Sequence, residues 1–115
     1  MGKPDEAATL LDLEPRPVAD VTTVLQALGD PIRLAIVGAL AGSGGERPCG
    51  GFDLPVTKAT LSHHFRVLRE AGILQQRCEG TRRMTTLRRA EVDAVYPGLL
   101  DSILRAPAAA TAAER

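Results

Sequence analysis

Residues 58–74 read KATLSHHFRVLREAGIL. Leu61, Phe65 and Leu68 recur at spacings of four and three, which is the period of a helix with one apolar face. The spacing predicts a helix over residues 57–71. Thr57 or Thr60 can cap its start, because a hydroxyl oxygen accepts from the free N–H groups of a first helical turn. Gly72 suits its end, and Ile73 and Leu74 follow as an apolar anchor. The opposite face carries Lys58, Thr60, Ser62, His63 and Arg66. Both histidines of the chain, His63 and His64, lie here side by side. Adjacent histidines suggest a metal site, but helix neighbours diverge by about 100°, so the two rings cannot grip one ion as an i, i+4 pair does.

The segments on either side set this helix in context. Upstream, Val21, Val24, Leu25 and Leu28 give helical spacing over residues 18–28, and Gly29 ends that helix. The next run, DPIRLAIVGAL, starts a second helix with Asp30 as N-cap and Pro31 at the first helical position, where no N–H is needed. Its stripe is Ile32, Ile36, Val37 and Leu40. Residues 42–55 are rich in Gly and Pro and read as a long loop, with one helical turn near FDLP. Downstream, ILQQRC and RRMTTLRR flank a Gly-containing turn and read as a β-hairpin. The run AEVDAVYPGLLDSILRA is helical again, with Pro97 expected to kink or restart it. Residues 1–16 read as a flexible arm and residues 107–115 as a disordered Ala-rich tail.

Helix, helix, short element, helix, hairpin, helix packs as a winged helix-turn-helix, a mainly α fold with a β-hairpin wing. The chain has 115 residues, 44% hydrophobic and 24% charged, enough for one small domain over residues 17–106. Net charge is zero, yet it is unevenly spread. Residues 1–30 carry Lys3 and Arg16 against six acidic residues, whereas residues 57–90 carry eight basic residues against Glu70 and Glu79. A locally basic surface suits phosphate binding. Aromatic residues make up 3%, too few for a stacking platform on single strands. Two cysteines, Cys49 and Cys78, make no disulfide framework. No apolar run approaches the roughly 20 residues that span a bilayer, and no secretory segment opens the chain. These features read as a cytoplasmic protein with no membrane partner.

The helix face described above has the chemistry of a major-groove reader. Small hydroxyls, a His and an Arg suit base edges and phosphates. Arg82 and Arg83 at the hairpin turn can reach backbone or the minor groove. ALGDPIRLAIVGAL, LSHHFRVLREAGIL and the wing EGTRR together resemble the ArsR/SmtB family of bacterial transcription regulators, over residues 18–104. The resemblance implies a homodimeric winged helix-turn-helix protein that binds a palindromic double-stranded DNA operator. Its recognition helix would be residues 57–71 and its wing residues 74–88. The DNA-binding candidates are Lys58, Thr60, Ser62, His63, Arg66, Arg82 and Arg83. It also implies dimerisation through the N- and C-terminal helices, with Val21, Leu25, Leu99, Leu100 and Ile103 at the interface. The recurrent His of the family matches His64, in a structural or phosphate-facing role.

Metal sensing is common in that family, but its residues do not carry over. Cys49 stands alone where a Cys-x-Cys pair would lie. The terminal helix offers Glu91, Asp93 and Asp101 without a His. No metal ligand or cofactor is therefore assigned, and sensing falls to another route or to a co-regulator protein. Cys49 reads as an exposed loop thiol, with a redox or thiophilic-metalloid sensing role left open, and Cys78 as a small packing residue. Two alternatives stay open. One is a protein-interaction module that uses the winged helix as a scaffold. The other is a metal-responsive regulator (nickel, zinc or arsenic) with a non-standard site, completed by residues such as Asp5 and Glu6. No catalytic constellation is visible, so the sequence does not read as an enzyme.

Overall fold

The computed structural model describes residues 14–105. Most of the expected arm (residues 1–16) and all of the expected tail (residues 107–115) lie outside the described residues. The chain runs through α1 (Val21–Leu28), α2 (Pro31–Gly42), β1 (Glu46–Pro48), a 3-10 turn at Cys49–Gly51, α3 (Lys58–Glu70), β2 (Leu74–Glu79), β3 (Arg82–Leu87), α4 (Arg89–Val95) and α5 (Leu99–Leu104). This is the winged helix-turn-helix expected from the element order, with one addition.

The addition is β1. Residues 42–55 were expected to be loop, but Glu46–Pro48 pairs antiparallel with β3, giving a three-stranded sheet of order β1-β3-β2. Three residues ending in Pro carry no strand period of their own; the pairing with β3 makes the strand. The expected helical turn near FDLP is instead the 3-10 turn at Cys49–Gly51. Phe52 packs edge-on against Phe65 of α3, with ring centroids 5.3 Å apart.

α1 begins at Val21, three residues later than the apolar spacing suggests. The preceding backbone is committed elsewhere. Ala19 N–H donates to the Ala71 carbonyl at 2.9 Å, and the Tyr96 hydroxyl donates to the Ala19 carbonyl at 2.6 Å. This strap crosses α3 at Gly72, where φ is 79° and an added Cβ would lie 2.4 Å from the Pro17 carbonyl oxygen. Gly72 thus both ends α3 and makes room for the crossing chain.

Asp30 caps α2 as its sequence predicts, its Oδ2 accepting from Ile32 N–H at 2.9 Å and Arg33 N–H at 3.0 Å. Val24, Ile36, Val37, Leu40, Leu68, Ile73 and Val92 meet in the centre with no exposed surface. Each such aliphatic contributes about 1.5–3 kcal/mol relative to exposure. The terminal helix is broken at Pro97 into α4 and α5, and Gly98 takes φ 82° at the restart.

Candidate nucleic-acid interface

α3 is held from its inner side. Phe65 and Leu68 are buried, and His64 is 8% exposed. His64 Nδ1 lies 3.1 Å from Arg33 Nη1. A guanidinium only donates, so Nδ1 accepts and the neutral ring carries its proton on Nε2. The same Arg33 donates through Nε to the Ala27 carbonyl at 2.8 Å and through Nη2 to the Gln26 carbonyl at 3.2 Å. It therefore closes the C-terminal end of α1, belongs to the first turn of α2, and reaches α3. Asp30 Oδ2 lies 3.9 Å from His64 Nδ1. Burial and the neighbouring Arg33 charge push the His64 pKa below its ordinary 6.5, against the pull of Asp30. Burial opposes ionisation of Asp30, but the Arg33 backbone N–H and the Arg33 charge hold its pKa below 3.8. Of the two roles expected for His64, structural or phosphate-facing, its burial and its Arg33 contact match the structural one.

The outer face carries the expected polar set. Lys58, Thr60, Ser62, His63 and Arg66 are all exposed. Thr57 caps the helix, accepting from Thr60 N–H at 3.1 Å, and its hydroxyl donates to Thr60 Oγ1 at 3.0 Å. A cleft of about 610 Å³ opens between this face, the sheet and the 3-10 turn; Lys58, Ser62, His63, Arg66 and Arg83 line it together. Thr60 and Arg82 are not among the lining residues. Thr60 stays at the cap, and Arg82 projects from the other face of β3 beside Glu79, at 3.7 Å.

The floor of the cleft holds residues that the sequence reading missed. Gln76 is 2% exposed and Thr85 fully buried. The Gln76 amide donates to Thr85 Oγ1 at 3.0 Å and to Cys49 Sγ at 2.9 Å, and its oxygen accepts from Arg69 of α3. The signal was present, since period-two alternation in the ILQQRC run puts Gln76 on the same face as Leu74. A buried amide there needs partners. The two cysteines exchange their expected settings. Cys49 is half-buried within this network, and Cys78, expected to pack, is exposed on the wing.

At the expected dimer face, Val21 and Leu25 are about half exposed, as is Val95 of the terminal helix's apolar stripe. Leu99 and Ile103 are half-buried. Leu100, expected at the same face, is 2% exposed and packs in the chain's own core. Among the described residues no three His, Cys, Asp or Glu side chains converge as metal ligands. Nor is any single described helix long and apolar enough to cross a membrane.

Comparison with known proteins bears on the family and the fold. Residues 28–77 match a helix-turn-helix domain family model. The chain is 37% identical over 82 residues to the uncharacterized HTH-type transcriptional regulator YceK of Bacillus subtilis, covering 70% of this chain and 82% of that protein. A second uncharacterized HTH-type transcriptional regulator, from Methanocaldococcus jannaschii, is 42% identical over 59 residues, covering 50% of this chain and 66% of that one. Among solved structures, an ArsR family transcriptional regulator superposes with a TM-score of 0.58 at 23% identity, covering 71% of this chain and 90% of the other. That likeness extends to the fold.

Proposed function

The chain belongs to the HTH-type transcriptional regulators, with an ArsR-like winged helix-turn-helix fold, and from that premise we propose that it is a homodimer binding a palindromic duplex operator in the cytoplasm. In this reading α3 enters the major groove, with Ser62 and His63 at base edges and Lys58 and Arg66 near phosphate. The wing meets the backbone or the minor groove. The observation that carries it is the convergence of Lys58, Ser62, His63, Arg66 and Arg83 on one cleft beside an exposed helix face. Such a set joins sequence reading to phosphate positioning.

The half-exposed Val21, Leu25 and Val95, next to Leu99 and Ile103, supply an apolar face for a twofold partner. Two copies would set two recognition helices about 34 Å apart, one helical turn of DNA. Sensing then falls outside the family's metal sites, to another route or to a co-regulator protein. Footprinting of the purified chain on the DNA upstream of its own gene tests the reading. A protected inverted repeat is the expected result; sequence-independent retention with no protected repeat overturns it.

A further inference from the structure

We propose that the wing engages DNA phosphate through Arg83, from within the cleft beside α3, and that its neighbour Arg82 makes no phosphate contact. The inference rests on the DNA-binding reading above and goes beyond it, since the two arginines are equivalent in sequence and differ in place.

Side chains alternate along a strand, so Arg82 and Arg83 leave β3 on opposite faces. Arg83 pairs with Cys78 and shares its face with Thr85 and Gln76, the face turned towards α3. Arg82 pairs with Glu79 and shares its face with Thr86 and Arg77.

The two faces differ in charge. On the outer face Arg77 is bonded to Glu46, and its Nη2 lies 3.1 Å from Glu79 Oε2; the other oxygen of Glu79 lies 3.7 Å from Arg82. Thr86 donates to Glu46 at 3.1 Å. Two carboxylates thus face two guanidiniums. An exposed pair such as Arg82–Glu79 adds little stability, but its carboxylate cancels the local field that would draw a phosphate and travels with Arg82 to any contact.

Arg83, on the inner face, has no such compensation. Lys58, Arg66 and Arg83 line the cleft, and among the described residues no acidic side chain does. Arg66 has Glu70 at 3.9 Å with both side chains exposed. Among the described residues no carboxylate lies within ion-pair distance of Arg83 or Lys58. Like-charged walls focus potential into a cleft. Beneath, the Gln76–Thr85 bond and the Arg69–Gln76 bond tie both wing strands to α3, so Arg83 is held at a set distance from the helix. A strand whose base edges meet Ser62 and His63 has its backbone beside this cleft.

The experiment measures binding of the full chain to its upstream duplex, by fluorescence anisotropy, between about 50 and 200 mM salt, where the logarithmic slope counts phosphate contacts. Arg83→Gln should reduce that slope by about 0.9 per protomer and lower affinity about tenfold at low salt, on specific and scrambled duplex alike. Arg83→Lys, which keeps the charge, should restore most of the slope. Arg82→Gln should leave slope and affinity within about twofold of wild type. A urea unfolding midpoint for each variant separates lost contact from lost fold. If Arg82→Gln flattens the slope as much as Arg83→Gln, or if Arg83→Gln folds and leaves it unchanged, the assignment is overturned while the DNA-binding reading survives. If the wild-type chain retains no duplex, the DNA-binding reading fails first and takes this one with it.

Discussion

His63 and His64 are consecutive on α3, yet one ring stands exposed at the rim of the cleft and the other is 8% exposed with Arg33 against its Nδ1. Their ring centroids are 5.7 Å apart and tilted by 55°. One helical step has separated a candidate reader from a fastener. The same sequence signal, two histidines together, therefore covers two different settings, and each ring can be removed without the other.

The largest expected effect is on the buried side. His64→Ala takes a ring out of the core and leaves Arg33 Nη1 without its acceptor, at a cost of about 2–4 kcal/mol. His63→Ala should stay within about 0.5 kcal/mol, as exposed substitutions usually do. Urea unfolding of both variants breaks the comparison if the two losses are equal.

The next effect belongs to the exposed side. His63→Ala should weaken binding to the preferred duplex by about 1–3 kcal/mol and leave scrambled duplex nearly unaffected. Titration against both duplexes checks it; equal loss on the two would make His63 a phosphate contact.

Asp30→Ala sharpens the buried side. It removes the cap that accepts from Ile32 and Arg33 and should cost about 1 kcal/mol in the unfolding midpoint. It also removes the charge that raises the His64 pKa, so that pKa should fall further on titration by NMR. An unchanged His64 titration would separate Asp30 from this ring.

A smaller effect is the pH response. The His64 pKa in the fold lies below its ordinary 6.5, first through burial and then through the Arg33 charge. The unfolded chain therefore takes up the proton first. Stability from the neutral ring is fully present above about pH 6.5 and declines as pH falls from there towards the folded value. His64→Gln should flatten this part of the stability–pH curve, and His63→Gln should leave it as it is.

Much of the architecture was readable because it rests on local chemistry. Asp30 and Pro31 announce the start of α2, Gly72 ends α3, and Pro97 divides the last helix, each through backbone geometry that its residue type dictates. The outer face of α3 was readable from Leu61, Phe65 and Leu68, which fix where the opposite face points. What was not readable depends on contacts distant in sequence. The strand at Glu46–Pro48 exists through β3, some 40 residues on. Leu100 was expected at a dimer face, and its burial in the chain's own core depends on how α5 packs against elements distant in sequence. Arg82 and Arg83 looked alike until Glu79 was found beside one and the cleft beside the other. Arg33 was visible as part of the GDPIR run, but its reach from α1 to His64 belongs to the packing of three helices.

The central claim is that the outer face of α3 reads bases while its inner face holds the helix. The most direct test is to select preferred duplexes from a random pool with the wild-type chain and with His63→Asn. The account predicts that the wild type selects an inverted repeat and that the variant changes preference at one symmetric pair of positions, with the rest of the repeat retained. Identical selections from both proteins, or no selected sequence from the wild type, would contradict it.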